Sequence, residues 1–222
     1  MKNVLAFDVY GTLIDPMGVV DALRDMFGDD APQFAALWRN KQIEYLFRRG
    51  LGRKYQPFSV CTGQALEHTC LVTGHALSDA GRDMLLDSYL RLPAYDDASD
   101  ALSGLKDAGF DCYAFSNGEP NDLYTLLNNA GLLDFLRGIV SADEVRTFKP
   151  DPALYGFFLE NTGATLGHTW LISSNTFDVI GAMEVGWKAA WLQRDSEQVF
   201  DPWGITPTVT VSALSDLRKA LI

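Results

Sequence analysis

The stretch that decides the fold reads VLAFDVYGT and spans residues 4–12. A short apolar run reaches Asp8 and is followed at once by a turn that contains Gly11. Such a run is typical of a strand that is buried on both faces of a parallel sheet. We therefore expect a first strand over residues 4–8, which holds the Asp8 carboxylate at the carboxyl edge of the sheet, where ligands bind.

The second half of the chain alternates between strand and helix patterns. Strands are predicted over residues 111–116, 138–141, 169–173, 188–192 and 208–211, and helices over 98–108, 120–130, 152–161, 177–185 and 212–221. Strands that alternate with helices of this length build βαβ units. The sequence therefore predicts an α/β fold with a parallel sheet flanked by helices.

The segment after the first strand breaks this alternation. It contains no convincing strand, and amphipathic helices are predicted over residues 19–27, 32–49, 59–73 and 78–90. We predict a helical cap, residues 17–92, inserted after the first strand of a catalytic core that comprises residues 1–16 and 93–222.

Composition and charge exclude several kinds of partner. The 222 residues carry a formal net charge of −11, so we expect neither nucleic acid nor an anionic membrane as a partner. No apolar stretch approaches the roughly 20 residues of a membrane span, and no signal peptide is evident, so a cytoplasmic location is predicted. The three cysteines and three histidines lack the spacing of a zinc site.

Polar residues follow four of the predicted strands at one edge of the sheet. They are Asp8, the SNG motif at 116–118, the KPDP motif at 149–152, and the SSN motif at 173–175 with Asp178 one turn later. Each alone is a common cap or turn residue. Because the carboxyl ends of parallel strands share an edge, the set in this order predicts one functional site.

These motifs resemble the haloacid dehalogenase superfamily, and within it the L-2-haloacid dehalogenases. FDVYGT, SNG, KPDP and SSNTFD occur in the superfamily order, and the resemblance covers essentially the whole chain, including the helical insert. It implies a Rossmann-like parallel sheet core flanked by helices, a helical cap, a homodimer, and hydrolysis of a carbon–halogen bond.

Tyr10 separates the dehalogenase branch from the phosphatase branch. The phosphatases carry a second aspartate at this position, which protonates the leaving oxygen, and they hold Mg²⁺ with paired acids in the fourth motif. Here position 10 is tyrosine, and Asp178 is the only acid of SSNTFD. Because a halide leaves without a proton, this departure favours a dehalogenase that needs no metal and no cofactor.

The resemblance also implies a mechanism. Asp8 attacks C2 of a short-chain (S)-2-haloalkanoic acid, and water hydrolyses the resulting ester to give an (R)-2-hydroxyalkanoic acid. The catalytic residues are expected to be Asp8, Thr12, Lys149, Ser173, Asn175 and Asp178. Lys149 keeps Asp8 ionised, Thr12 orients it, Asn175 and Asp178 position the water, and Ser173 supports them.

A second set of residues is expected to bind the substrate. Its members are Val9, Tyr10, Arg39, Asn40, Phe58, Ser116, Asn117, Tyr155 and Phe177. Arg39 and Asn117 are assigned to the halide, and Ser116 with the N–H groups near Val9 and Tyr10 to the substrate carboxylate. The others, together with Ile43, are expected to form the pocket wall. Tyr155 is the exception, and two roles stay open for it: a hydrogen bond near Asp8 or simple packing.

Two other functions stay open at this point. One is a Mg²⁺-dependent small-molecule phosphatase of the same superfamily, and the other is a non-catalytic member that binds a small acid. Chloro- and bromo-acids are the expected substrates. Fluoride release stays open as well, because Phe177 stands where several relatives have tryptophan. Chain-length preference and the physiological substrate are not determined by the sequence, and stereoselectivity rests on the resemblance alone.

Overall fold

A computed structural model of the chain describes residues 3–221, and the outer ends of the predicted core at residues 1, 2 and 222 lie outside this range. The strands are β1 (Val4–Phe7), β2 (Asp111–Ser116), β3 (Ile139–Ser141), β4 (Thr169–Ser173), β5 (Lys188–Leu192) and β6 (Val209–Val211). The helices that alternate with them are α5 (Ala98–Asp107), α6 (Pro120–Asn129), α7 (Pro152–Thr162), α8 (Thr176–Glu184) and α9 (Leu217–Leu221).

The strands form one parallel sheet in the order β3-β2-β1-β4-β5-β6. β1 and β4 lie side by side at its centre and are buried along their whole length, which explains why both are apolar runs. The strand order reverses between these two strands, and ligands bind at such a point in open α/β sheets. The predicted Rossmann-like α/β fold is therefore confirmed.

The segment after β1 is helical. It contains α1 (Val19–Phe27), α2 (Ala31–Leu51), α3 (Phe58–Thr73) and α4 (Asp79–Ser88), joined by 3₁₀ turns and loops. The Asp15 N–H donates to Pro93 O over 2.9 Å, and the Tyr95 N–H donates to Leu13 O over 3.0 Å. The chain thus leaves and re-enters the sheet region at adjacent points, as an insert requires. The division into a cap and a core at residues 17 and 92 stays a prediction.

Some predicted boundaries differ from the structure. β1 ends at Phe7, and Asp8 continues the ladder only through its N–H, which donates to Ile172 O over 3.0 Å. The last helix, predicted to begin at residue 212, is only Leu217–Leu221. A 3₁₀ turn precedes it because the Asp97 carboxylate accepts the Leu214 N–H over 2.7 Å and fixes the chain there.

The described residues were also compared with what a membrane-spanning helix and a metal site require. Between residues 3 and 221, no helix is long and apolar enough to cross a membrane. Within that range, no group of three or more histidine, cysteine, aspartate or glutamate side chains could hold a metal ion. Cys61, Cys70 and Cys112 are free thiols.

Candidate active site

Asp8 lies in a tight turn directly after β1. The Val9 carbonyl accepts the N–H groups of Thr12, Leu13 and Ile14 over 3.0–3.2 Å, and the Thr12 hydroxyl donates to Asp8 Oδ2 over 3.0 Å. Gly11 has φ +94°. A side chain at that position is strained, and its Cβ would lie 3.2 Å from Ser174 Oγ. The sequence therefore fixes the Asp8 carboxylate through the backbone of its own turn.

Lys149 joins two carboxylates beneath this turn. Its ammonium donates to Asp8 Oδ1 over 3.2 Å, to Asp178 Oδ2 over 2.7 Å and to the Phe115 carbonyl over 2.6 Å. The side chain is only 1% exposed, so all three of its N–H groups are satisfied inside the protein. One buried ammonium thus forms an ion pair with both carboxylates.

The loop after β4 supplies the remaining partners of Asp8. Asn175 Nδ2 donates to Asp8 Oδ2 over 2.7 Å and to the Tyr10 carbonyl over 3.1 Å. Ser173 Oγ accepts the Asn175 N–H, and Ser174 Oγ donates to the Gly11 carbonyl over 2.7 Å. Ser173 and Ser174 thus hold the loop of Asn175 against the turn of Asp8.

Asp178 lies behind Lys149, on α8, and is fully buried. Burial raises the pKa of Asp178 to about 6, although Lys149 and the Tyr155 hydroxyl both act to lower it. Tyr155 donates to Asp178 Oδ1 over 2.8 Å. Gly181 permits this approach, because a Cβ there would lie 2.6 Å from the Tyr155 hydroxyl.

Tyr155 consequently differs from its predicted role. It is fully buried on α7 and does not line the cavity next to Asp8, because its hydroxyl is directed to Asp178 instead. It contacts the second carboxylate of the site rather than the space in which a substrate would lie.

A small cavity of about 20 Å³ opens above the Asp8 carboxylate. It lies where the sheet edge meets α2 and α3. The residues that line it are Asp8, Tyr10, Arg39, Ile43, Leu46, Phe47, Phe58, Ser116, Asn117, Asn175 and Phe177. Most of the predicted substrate-binding residues therefore surround one space.

Arg39 reaches this cavity from α2. Its guanidinium donates to Gln42 Oε1 over 2.6 Å and to the Tyr10 carbonyl over 3.4 Å. Gln42 is fully buried, and its amide donates to Thr62 Oγ1 over 2.5 Å. Gln42 was missed by sequence reasoning, although a polar residue three positions after a functional arginine on a helix is placed to contact it.

The cavity wall is largely aromatic. The rings of Tyr10 and Phe58 stack with centroids 5.0 Å apart, and those of Phe47 and Phe177 meet edge to face at 5.0 Å. Burial raises the pKa of the Tyr10 hydroxyl, so it stays protonated at neutral pH and is a weak acid. Tyr10 thus forms part of the cavity wall.

Asn40 does not belong to this wall, contrary to the prediction. It is exposed and does not line the cavity, because neighbouring helix residues point about 100° apart and Arg39 already faces inward. Leu46 and Phe47 line the cavity instead.

Arg194 contacts the Asp8 turn and was also not identified from the sequence. It pairs with Asp97 at 3.0 Å and donates to the Thr12 carbonyl over 2.8 Å.

The donor set at Asp8 fits a hard cation poorly. Its two acids, Asp8 and Asp178, are bridged by the Lys149 ammonium, which occupies the space between their oxygens. Mg²⁺ prefers an octahedral set of oxygen ligands, and the other groups that touch Asp8 are an amide nitrogen and a hydroxyl. These residues therefore suit a reaction of the Asp8 carboxylate itself.

The fold and the site define a hydrolase with an aspartate at the centre of a parallel sheet. Residues 2–186 match the family described as haloacid dehalogenase-like hydrolase, and the chain belongs to that family.

Two relatives illustrate the similarity. The chain is 35% identical over 210 residues to the (S)-2-haloacid dehalogenase of Pseudomonas sp. strain YL, which covers 95% of this chain and 90% of that protein. It also resembles the L-2-haloacid dehalogenase structure from Xanthobacter autotrophicus with chloropropionic acid covalently bound. That similarity has a TM-score of 0.91 and 31% identity, and covers 100% of this chain and 98% of the other.

Proposed function

We propose that this protein hydrolyses short-chain (S)-2-haloalkanoic acids to (R)-2-hydroxyalkanoic acids and halide through an ester on Asp8. One observation carries the proposal: the Asp8 carboxylate, held by Thr12, Lys149 and Asn175, forms the floor of a small cavity that Arg39 also lines. The names of the relatives at 30–35% identity support the same reaction.

In the first step an Asp8 oxygen attacks C2 from the side opposite the halogen. The new C–O bond forms as the carbon–halogen bond breaks, and the halide leaves with the bonding electrons. A fixed carboxylate in a small, largely dehydrated cavity is a competent nucleophile for this substitution. Inversion at C2 follows from this direction of attack.

Two groups are assigned to the departing halide. The Arg39 guanidinium supplies a positive charge at the cavity. Asn117 Oδ1 accepts the backbone N–H of Lys149 over 2.9 Å. The side-chain amide N–H groups of Asn117 donate to no acceptor within residues 3–221. These N–H groups are therefore available to an anion in the cavity.

The substrate carboxylate is assigned to the opposite side of the Asp8 turn. The backbone N–H groups of Val9 and Tyr10 donate to no acceptor among the described residues, and Ser116 Oγ accepts only the Gly118 N–H. Backbone amides that point together into a turn form a favourable anion site. They would hold C2 above Asp8.

In the second step water attacks the carbonyl carbon of the ester. Asn175 positions the water, and Asp178 accepts its proton, since the pKa of about 6 leaves Asp178 largely ionised at neutral pH but more basic than an ordinary aspartate. Lys149 stabilises the oxyanion. The tetrahedral intermediate then breaks its bond to the product oxygen, the alkoxide takes the proton held by Asp178, and the second proton of the water is released as Asp8 is restored as a carboxylate.

We also propose that residues 17–92 act as a cap over this site. Tyr55 donates to Asp143 over 2.6 Å, and the Ser59 hydroxyl and N–H donate to Glu119 over 2.8 and 2.9 Å. These three hydrogen bonds join the helical segment to the sheet region beside the cavity. Closure of the cap would exclude bulk water during the first step.

A homodimer and a cytoplasmic location stay predictions, and a measurement of the molecular mass in solution tests the homodimer.

A halide assay tests the proposed function. The protein is incubated with L- or D-2-chloropropionate, with and without EDTA, and chloride is measured beside an Asp8→Asn control. We expect chloride from the L enantiomer only, unchanged by EDTA and absent from the variant. No chloride from either enantiomer would contradict the proposal. Chelator-sensitive release of phosphate from phosphoesters would support a phosphatase, and binding of small acids without turnover would support a non-catalytic member.

A further inference from the structure

A second, larger hollow lies beside the catalytic cavity. This outer groove has a volume of about 830 Å³ and runs between the end of α2, the KPDP loop and α8. Much of its wall is apolar and includes Leu51, Phe148, Pro150, Ile180 and Trp203. Its charged wall residues nearly balance: the four acids are Glu44, Asp151, Glu184 and Asp201, and the three cations are Arg48, Arg53 and Lys149. Such a groove suits an alkyl chain better than a carboxylate.

Three residues line both the outer groove and the catalytic cavity: Leu46, Phe47 and Phe177. The Phe47 and Phe177 rings meet edge to face with centroids 5.0 Å apart. Leu46 is 2% exposed and is fixed in the core. The aromatic pair is therefore the partition between the two spaces.

The partition differs from the opposite wall of the cavity. There the rings of Tyr10 and Phe58 are stacked nearly parallel, and both side chains are at most 5% exposed. Phe47 is 37% exposed, so it has solvent on one side and fewer packed neighbours. Truncation of Phe47 should consequently open a passage with little loss of stability, whereas truncation at Tyr10 or Phe58 would disturb the core.

We propose that Phe47 determines the length of the 2-haloacid side chain that the site accepts. This inference rests on the proposed function and deepens it. With the substrate carboxylate on the Asp8 turn, the C2 substituent of a short acid fits inside the cavity, and a longer one meets the Phe47–Phe177 partition. Removal of the Phe47 ring joins the cavity to the outer groove, which can then bury the additional methylene groups.

The test compares substrates of increasing length. Bromide release is measured from (S)-2-bromopropionate, (S)-2-bromobutyrate and (S)-2-bromohexanoate with the wild-type protein, Phe47→Ala, Phe47→Leu and Leu51→Ala. The wild type should lose kcat/KM as the chain lengthens. Phe47→Ala should raise the hexanoate-to-propionate ratio of kcat/KM by about tenfold or more, since each methylene group bound in an apolar pocket contributes about 10-fold or more to discrimination. Phe47→Leu should give a smaller rise.

Leu51→Ala is the matched control. Leu51 lies one helical turn beyond Phe47, is 90% exposed and lines the outer groove but not the catalytic cavity. It should keep the wild-type profile, and an equal shift in this variant would overturn the role of Phe47. If Phe47→Ala does not fold, Phe47→Leu decides the matter.

The same bromide measurements distinguish an error in this inference from an error in the proposed function. A wild-type protein that releases bromide from 2-bromopropionate, together with an unchanged chain-length ratio in both Phe47 variants, would overturn the inference alone. A wild-type protein that releases no bromide from any of the three substrates would overturn the proposed function and the inference with it.

Discussion

The two sides of the candidate site are held in different ways. On the sheet side, Lys149 and Asp178 are at most 1% exposed, and every N–H of the lysine has a partner within 3.2 Å. On the helical side, Arg39 is half-buried, and it contacts the sheet region through a single 3.4 Å hydrogen bond to the Tyr10 carbonyl. Its short hydrogen bond goes to Gln42, on its own helix.

This difference means that the partners of Asp8 are held in place, whereas Arg39 can move with its helix. The nucleophile and its partners are preorganised by buried, fully satisfied hydrogen bonds, so little reorganisation is needed when the reaction begins. The cation above the cavity is attached to the helical segment and follows any movement of that segment. Perturbations of the sheet side should therefore lower both stability and turnover strongly, and perturbations of the helical side should lower turnover with a smaller loss of stability.

The largest effect is expected for Lys149→Met. Two buried carboxylates lose their shared cation, so the free energy of unfolding should fall by about 3–5 kcal/mol. Turnover should fall by about 10³-fold, because the oxyanion also loses its partner. Chemical denaturation and halide release measure the two effects. Lys219→Met, at an exposed lysine, is the control and should stay within about 0.5 kcal/mol of the wild type.

Arg39→Ala should affect turnover more than stability. Halide release should fall by about 10²-fold, since one charged donor to the developing anion is lost. The free energy of unfolding should fall by only about 1–2 kcal/mol, because buried Gln42 Oε1 loses its donor but the hydrogen bonds of Lys149 are unaffected. Arg91→Ala, at an exposed arginine of the same segment, should leave both quantities unchanged. Wild-type turnover in Arg39→Ala would remove this residue from the halide site.

Tyr155→Phe should shift the pH dependence of turnover. The Tyr155 hydroxyl lowers the pKa of Asp178, so its removal raises that pKa further above the ordinary value of an aspartate. Since the proposed base must be ionised, the acidic limb of the kcat profile should move to higher pH. Loss of one hydrogen bond costs about 1 kcal/mol, so turnover near pH 6 should fall several-fold. An unshifted limb would argue against Asp178 as the base.

The smallest effect is expected for Tyr55→Phe, which removes one hydrogen bond between the helical segment and the sheet region. A bond of this kind is worth about 1 kcal/mol, so KM should rise by several-fold while kcat stays near the wild-type value. Tyr45→Phe is the control, because the Tyr45 hydroxyl makes no hydrogen bond within residues 3–221. Equal KM values for both variants would show that this contact does not hold the segment over the cavity.

The sheet side of the site was largely predictable from the sequence. Asp8, Asn117, Lys149 and Asn175 each follow a strand, and parallel strands bring their carboxyl ends to one edge. The structure brings these four residues together as predicted. Their catalytic and binding roles stay predictions, because geometry alone does not measure a reaction.

The helical side was less predictable. Which side chains of α2 face the cavity depends on the rotation of the helix against its neighbours, and the sequence does not determine this rotation. Asn40 consequently points to solvent, whereas Leu46 and Phe47 line the cavity. Tyr155 does not line the cavity for a related reason, since the direction of its hydroxyl depends on the space left by Gly181 on α8.

The central claim is that Asp8 forms an ester with the substrate, and isotope labelling tests it most directly. The protein is mixed in excess with (S)-2-chloropropionate in H₂¹⁸O for a single turnover, and the peptide that contains Asp8 and the product are analysed by mass spectrometry. Because water attacks the ester carbonyl, ¹⁸O should enter the Asp8 carboxylate, and the 2-hydroxypropionate should stay unlabelled. Label in the product and none in Asp8 would contradict the ester route.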